Sequence, residues 1–291
     1  MGHKSKKSLV RQVQERLQSK LCAGDSKHLD KRQNATEDKI YSYNTFRTYE
    51  KHSCAFAKWA KAEHGCKTLE DCRPHVDAYL EYRASYCSPY TVKLDAASIG
   101  KTYGESTRNF APTPSRVRSA VTRSRGEKEM DKHFSEANNA NLVAFCQSTG
   151  LRRSEVQSCR GDSLVPCANS PVGLGIHVVS GKGGRERIAP LFCDRSTAEK
   201  ITSMCEEAGT GKIFEKVHKA ADIHGYRAEY ASKVYQYHSR PLDTLQTPEK
   251  YYCRGDKAGC VYDRQALQAT TNALGHNRIS VAASNYLYNV K

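Results

Sequence analysis

The residues with chemical potential are arginines, a lysine, histidines and tyrosines, gathered in four short stretches of the second half of the chain. The first is Thr149-Gly150-Leu151-Arg152-Arg153-Ser154-Glu155. The second is a Gly-rich run around Lys182. The third is His224-Gly225-Tyr226-Arg227, and the fourth is Leu274-Gly275-His276 followed by Tyr286 and Tyr288. These types suit attack on a phosphodiester. Two guanidiniums can each fork onto non-bridging phosphate oxygens, holding the charge that builds in a five-coordinate transition state. A lysine can donate a proton to a leaving oxygen. His224 and Arg227 are three residues apart, so a helix would turn both to one face. A tyrosine hydroxyl becomes a useful nucleophile when its proton is removed or its oxyanion is met by cations. No carboxylate cluster suited to Mg²⁺ accompanies these residues.

Each signal has an ordinary counterpart. An arginine after Thr-Gly-Leu is commonly a surface helix residue, and a histidine after glycine is commonly a helix-start residue. Tyr286 is one of 17 tyrosines. Gly181-Lys182-Gly183-Gly184 does not fit a Walker phosphate loop, because no Ser or Thr follows the lysine. Cys253 and Cys260 are spaced more widely than usual zinc ligands; a metal clip and a plain loop with two cysteines both remain open.

The elements that must position these residues follow from periodicity. Apolar spacing predicts helices over 128–146, 152–160, 196–208, 225–238, 262–273 and 280–288. The runs Ile176–Val179 and Ile188–Leu191 read as strands, with Ser180–Arg187 as the turn that carries Lys182. The segment 239–261 is long and reads as a loop or an extra hairpin. Upstream, 38–104 reads as a small helical bundle. Phe46, Tyr49, Phe56, Trp59 and Ala60 form one apolar stripe, Thr68 with Asp71 caps a second helix, and Ser88-Pro89 starts a third. Residues 109–126 form a linker with Pro112 and Pro114, then Arg116, Arg118, Arg123 and Arg125 without an intervening acid, which can lie along a phosphate backbone or simply be solvated. Residues 1–32 carry nine Lys or Arg against three acids, with Leu9, Val13, Leu17 and Leu21 at helical spacing: a basic arm, a short helix or a frayed terminus. The expected divisions are therefore a basic arm (1–32), a helical domain (33–108), an Arg-rich linker (109–126) and a catalytic domain (127–291).

At 291 residues and a net charge of +15, the chain has room for two domains and calls for a polyanionic partner. Nucleic acid is the first choice, ahead of an anionic membrane surface, since no basic amphipathic helix carries Trp or Phe anchors. No apolar run approaches the ~20 residues that span a bilayer, and the basic start lacks the apolar stretch of a signal peptide. The 12 cysteines are scattered and read as reduced thiols of a cytosolic protein.

Taken together and in this order, Arg, a hairpin Lys, His-x-x-Arg, Leu-Gly-His and a Tyr beyond them resemble the tyrosine recombinase family, strongly over 127–291. Over 38–104 the likeness is one of size, position and helicity. The resemblance implies a mainly α fold with a small β-sheet (α+β): a helical core-binding domain joined by a linker to the catalytic domain, the two clamping a duplex. It implies Arg152 as first catalytic arginine ahead of Arg153, Glu155 as the supporting acid, Lys182 as general acid for the 5′ oxygen, His224 as an acid/base or phosphate contact, Arg227 as second clamp, His276 as the second histidine and Tyr286 as nucleophile, with Tyr288 as alternative. The linker arginines Arg116, Arg118, Arg123 and Arg125 would bind DNA. The implied activity is site-specific recombination through a 3′-phosphotyrosyl intermediate, integrating or excising a mobile element, without cofactor or metal. The implied partners are double-stranded DNA, a homo-tetramer and an accessory DNA-bending or directionality factor, in a bacterial cytoplasm at the nucleoid. Gly225-Tyr226 stand where the family often has Asp-Leu, and five residues follow Tyr286, which leaves the mode of protomer exchange open. Two other readings share much of this pattern: a type IB topoisomerase that relaxes DNA, and a DNA-binding protein that does not cut.

Overall fold

The computed structural model describes residues 7–116, 132–181, 185–287 of the chain. The chain divides into two compact units, Met1–Ala120 and Val121–Lys291.

The first unit is helical. Helix α1 (Leu9–Gln18) starts at Ser8, whose side chain accepts from the Arg11 N–H, and buries Leu9, Val13 and Leu17. A short α2 (Lys27–Arg32) follows. Then comes α3 (Tyr43–His64), which buries Phe56 and Ala60 of the expected stripe and leaves Phe46, Tyr49 and Trp59 half-buried at its margin. Thr68 and Asp71 form a reciprocal capping box at α4 (Leu69–Cys72). Helix α5 (Val76–Ala84) leads to α6 (Pro89–Tyr103), where Ser88 caps and Pro89 takes the first turn. Inside this unit the fully buried Asp95 is held by His52 at 2.5 Å and by Arg83 at 2.9 Å, so a carboxylate removed from water is paired on both oxygens.

The second unit combines helices with two small antiparallel sheets. The helix expected over 128–146 differs in its start. Among the described residues it begins only at α7 (Ala140–Thr149), after a single 3₁₀ turn. The reason is local: the Asn139 side chain donates to the Ser135 carbonyl and the Asn138 N–H to the Ser135 hydroxyl. Such side-chain bonds compete with helical ones.

A short α8 (Arg153–Ser158) precedes a three-stranded sheet of β1 (Leu164–Pro166), β2 (Leu174–Gly181) and β3 (Arg185–Pro190). In the register Ile176 faces Ala189 and Val178 faces Arg187. The strands reach further than the sequence suggested: Ser180 and Gly181 belong to β2, and Arg185, Glu186 and Arg187 belong to β3 rather than to a turn. Helices α9 (Arg195–Ala208) and α10 (Ile223–His238) come next. The long segment after α10 contains an extra hairpin, β4 (Lys250–Tyr252) against β5 (Val261–Asp263). Cys253 and Cys260 close this hairpin with a main-chain bond of 2.9 Å. Among the described residues no cluster of three or more metal-ligating side chains occurs. Helices α11 (Arg264–Ala273) and α12 (Ile279–Asn285) complete the unit. Tyr286 is the residue just past α12, where the sequence had placed it within a helix. The structure is thus mostly helical with small antiparallel sheets, and among the described residues no helix is long and apolar enough to cross a membrane.

Candidate active site

Arg152, His276 and Tyr286 each follow the stop of a helix, and His224 and Arg227 lie on the first turns of α10. Helix α7 stops at Gly150, whose φ of +57° favours glycine. A Cβ at Gly150 would also lie 2.2 Å from the ring of Tyr230, itself buried and tied by its hydroxyl to the Pro190 carbonyl at 2.7 Å. This tight stop aims the Gly150 carbonyl inward and puts Arg152 at the start of α8. Likewise, α11 stops before Gly275 (φ +65°), and a Cβ there would meet the Arg187 side chain at 2.7 Å. The turn at Leu274-Gly275-His276 therefore presents a carbonyl, a close-packed backbone and an imidazole to the same place.

Arg227, on the first turns of α10, lies at the centre and is only 2% exposed. Its Nη1 donates to the Gly150 carbonyl and its Nη2 to the Leu274 carbonyl at 2.6 Å. Its Nε donates to the Tyr286 hydroxyl oxygen at 3.3 Å, and the guanidinium carbon is 5.3 Å from the centre of the Tyr286 ring. The His276 Nε2 is 3.5 Å from Nη2. Burial pulls the Arg227 pKa down to about 10, against a counter-effect from Tyr286 that favours its charge. It thus remains cationic at neutral pH. His224, three residues earlier on the same helix, places its ring 5.0 Å from that of Tyr286, and the His276 ring is 5.5 Å from it. Two imidazoles and a buried guanidinium thus converge on one phenol.

Arg152 joins them through a shared acceptor. Its Nη2 donates to the same Leu274 carbonyl at 3.4 Å, and its Nη1 donates to Glu155 at 2.7 Å. Glu155 also accepts from the Arg152 backbone N–H at 2.9 Å, which completes the start of α8. Arg153 points elsewhere: it donates to the carbonyls of His218, Lys219 and Ala221 and ties down the approach to α10.

Glu155 has a second, larger partner that the sequence reading missed. Arg187 of β3 donates to both its carboxylate oxygens, at 3.0 and 2.8 Å, and to the Ala273 carbonyl at 3.3 Å. Burial alone would raise the Glu155 pKa; the hydrogen bonds and charges of Arg187 and Arg152 overcome that and hold it down at about 2. The carboxylate is therefore a fixed anion that orients two guanidiniums. Arg152, Arg187 and Arg227 against one Glu155 leave an excess of two positive charges, an environment suited to an anionic reacting group. The signal that could have found Arg187 is strand alternation: it lies two residues before the fully buried Ala189, hence on the inward face of β3.

Of the remaining expected site residues, Lys182, Arg118, Arg123 and Arg125 lie outside the described residues, as does Tyr288. Arg116 is described, in the first unit, with its guanidinium 5.6 Å above the Tyr90 ring.

No protein-family model and no curated protein matches this chain. Solved structures do. The XerH site-specific recombinase bound to palindromic difH substrate, a post-cleavage complex, is 13% identical over 97% of this chain and 91% of that one, at a TM-score of 0.50. The pre-cleavage complex of XerH with difH gives 13%, 94%, 90% and 0.46, and the XerA recombinase gives 14%, 95%, 94% and 0.32. At this identity the first likeness concerns the fold alone: the fold of this chain is similar to that of the XerH site-specific recombinase along nearly its whole length.

Proposed function

We propose that this protein is a site-specific DNA recombinase that cuts and rejoins a phosphodiester through Tyr286. One observation carries the reading. The Tyr286 hydroxyl receives an N–H from the buried Arg227, and Arg227 and Arg152 donate to one shared carbonyl, that of Leu274. A phosphate drawn to these guanidiniums would lie beside the phenol oxygen.

The reaction is then an in-line displacement. The Tyr286 oxygen bonds to phosphorus as its proton leaves to a neighbouring base, with the His224 and His276 imidazoles close at hand. The P–O bond to the 5′ oxygen breaks, and that oxygen takes a proton, for which Lys182 is the proposed donor. Arg152 and Arg227 offset the charge on the non-bridging oxygens, while Glu155 and Arg187 keep Arg152 in place. A 5′-hydroxyl from a partner strand attacks the 3′-phosphotyrosine and reverses the step. Phosphoester energy is kept in the intermediate, so the balance needs no nucleotide triphosphate.

The partner is double-stranded DNA, approached by the net charge of +15 and by Arg116, Arg118, Arg123 and Arg125 of the linker. Integration or excision of a mobile element, a tetramer on DNA with an accessory factor, and work at the bacterial nucleoid complete the proposal. The divisions 1–32, 33–108, 109–126 and 127–291 serve as arm, DNA-binding domain, linker and catalytic domain.

The test is to incubate the protein with genomic DNA of its source in EDTA, stop with SDS, and sequence DNA ends attached to protein. Covalent ends at recurrent sequences are expected. Tight DNA binding without any adduct would identify a DNA-binding protein that does not cut, and relaxation without strand exchange a topoisomerase.

A further inference from the structure

The hairpin β4–β5 does more than lengthen the connection between α10 and α11. Between its strands Lys257 reaches the end of α12, where its ammonium donates to the Ala283 carbonyl at 2.7 Å and to the Leu287 carbonyl at 2.5 Å. From β5, the Tyr262 hydroxyl donates to that same Leu287 carbonyl at 3.1 Å. The Lys257 ammonium also lies 5.9 Å from the centre of the Tyr262 ring, so the two donors support one another.

These bonds fall on both sides of Tyr286. Helix α12 has only seven residues, and like any helix it leaves its last carbonyls without intrahelical donors. Ala283 and Leu287 are fully buried, where an unmet carbonyl would be costly. Lys257 supplies the cation that a helix C-terminus favours, and Lys257 with Tyr262 fill both lone pairs of the Leu287 carbonyl. Apolar burial of Ala282, Ala283 and Leu287 keeps the segment in the core but tolerates small rotations. Directed bonds to the carbonyls three residues before and one residue after Tyr286 set its register.

We propose that the β4–β5 hairpin is a clamp on the nucleophile segment, with Lys257 and Tyr262 as positioning residues that hold the Tyr286 hydroxyl at Arg227 of the same chain. Its catalytic consequence rests on the function proposed above; the clamp itself does not.

The experiment compares wild type, Lys257→Met, Lys257→Arg and Tyr262→Phe in full-length protein. Hydrogen–deuterium exchange is measured without DNA on peptides covering 279–287 and, as an internal control, 223–238. Adduct formation and DNA affinity are then measured on a trapped cleavage site. Faster exchange confined to 279–287 is expected in Lys257→Met and, more weakly, in Tyr262→Phe. Lys257→Arg should restore protection. The cleavage rate should fall about tenfold or more in Lys257→Met, on the order of one lost hydrogen bond to a charged group, with DNA affinity within about twofold of wild type. Unchanged exchange over 279–287, or equal loosening of 223–238, would overturn the clamp. If wild type forms no adduct, the recombinase reading fails, while the exchange data still decide the clamp.

Discussion

Arg227 and Tyr286 meet across 59 positions of sequence: the guanidinium Nε donates to the phenol oxygen at 3.3 Å while Nη1 and Nη2 are held by the carbonyls of Gly150 and Leu274. The arginine cannot turn away from the tyrosine without abandoning two main-chain acceptors in a buried site. The cation that would stabilise the attacking oxygen is thus fixed before any phosphate arrives, which is the condition for electrostatic catalysis without reorganisation.

Because the pair belongs to one chain, nucleophile and clamp should act together in cis. Arg227→Ala and Tyr286→Phe should each abolish adduct formation, the first by at least ~10²–10³ in rate, while leaving DNA binding largely intact. Mixing the two variants should restore nothing, as scored by SDS-resistant complex on a trapped site. Recovery in the mixture would show that the tyrosine is delivered to a neighbouring protomer.

The Glu155–Arg187 pair should be visible in acid stability. The Glu155 pKa is depressed from 4.5 to about 2, so the folded state favours the charged form. Its contribution is fully present above about pH 4.5 and is lost as pH falls from there through about 2. It amounts to about 3 kcal/mol by the linkage between pKa and stability. Arg187→Met removes the larger of the two partners, so burial should then push the carboxyl upward. Acid unfolding followed by circular dichroism should shift to higher pH, and cleavage should fall as Glu155, the anchor of Arg152, loses one of the two partners that fix it. An unchanged acid transition would show that Arg152 alone holds the carboxylate.

Much of this site was legible from short motifs, and the part that was not has physical reasons. Arg152, His224, Arg227, His276 and Tyr286 each follow a helix start or stop, where Gly, Leu and turn residues leave a local trace. The structure brings all five to one place. Arg187 left no such trace, because a Gly-rich, charged run reads as a turn although β2 and β3 extend into it on either side. Lys257 was illegible for another reason: its acceptors are main-chain carbonyls 26 and 30 residues away, which no residue type announces. Among the described residues the helix expected over 128–146 starts only at Ala140, because the Asn138 N–H donates to the Ser135 hydroxyl and the Asn139 side chain to the Ser135 carbonyl instead.

Gly150→Ala tests how far the site depends on backbone geometry. The substitution forces a Cβ at φ +57° into the fixed ring of Tyr230, combining left-handed strain with overpacking, together roughly 2–5 kcal/mol. A lower Tm and a displaced Arg227 are expected, with loss of cleavage exceeding loss of DNA binding. A variant as stable and as active as wild type would mean that the Gly150 carbonyl does not hold Arg227.

DNA affinity should be strongly salt-dependent. With about 6–10 phosphate contacts, binding should weaken ~10³–10⁵-fold between about 50 and 200 mM salt. Removing the charge at Arg116 should lower the slope by about one. A flat titration would refute the electrostatic role given to the net charge of +15.

The most direct measurement is the identity of the residue that carries DNA. A nicked suicide substrate built on a trapped site should accumulate a covalent complex, and peptide mapping should locate the phosphate on Tyr286. Tyr286→Phe removes one oxygen and little volume, so it should fold and bind DNA yet form no complex. An adduct on Tyr288, or one that persists in Tyr286→Phe, would contradict the account.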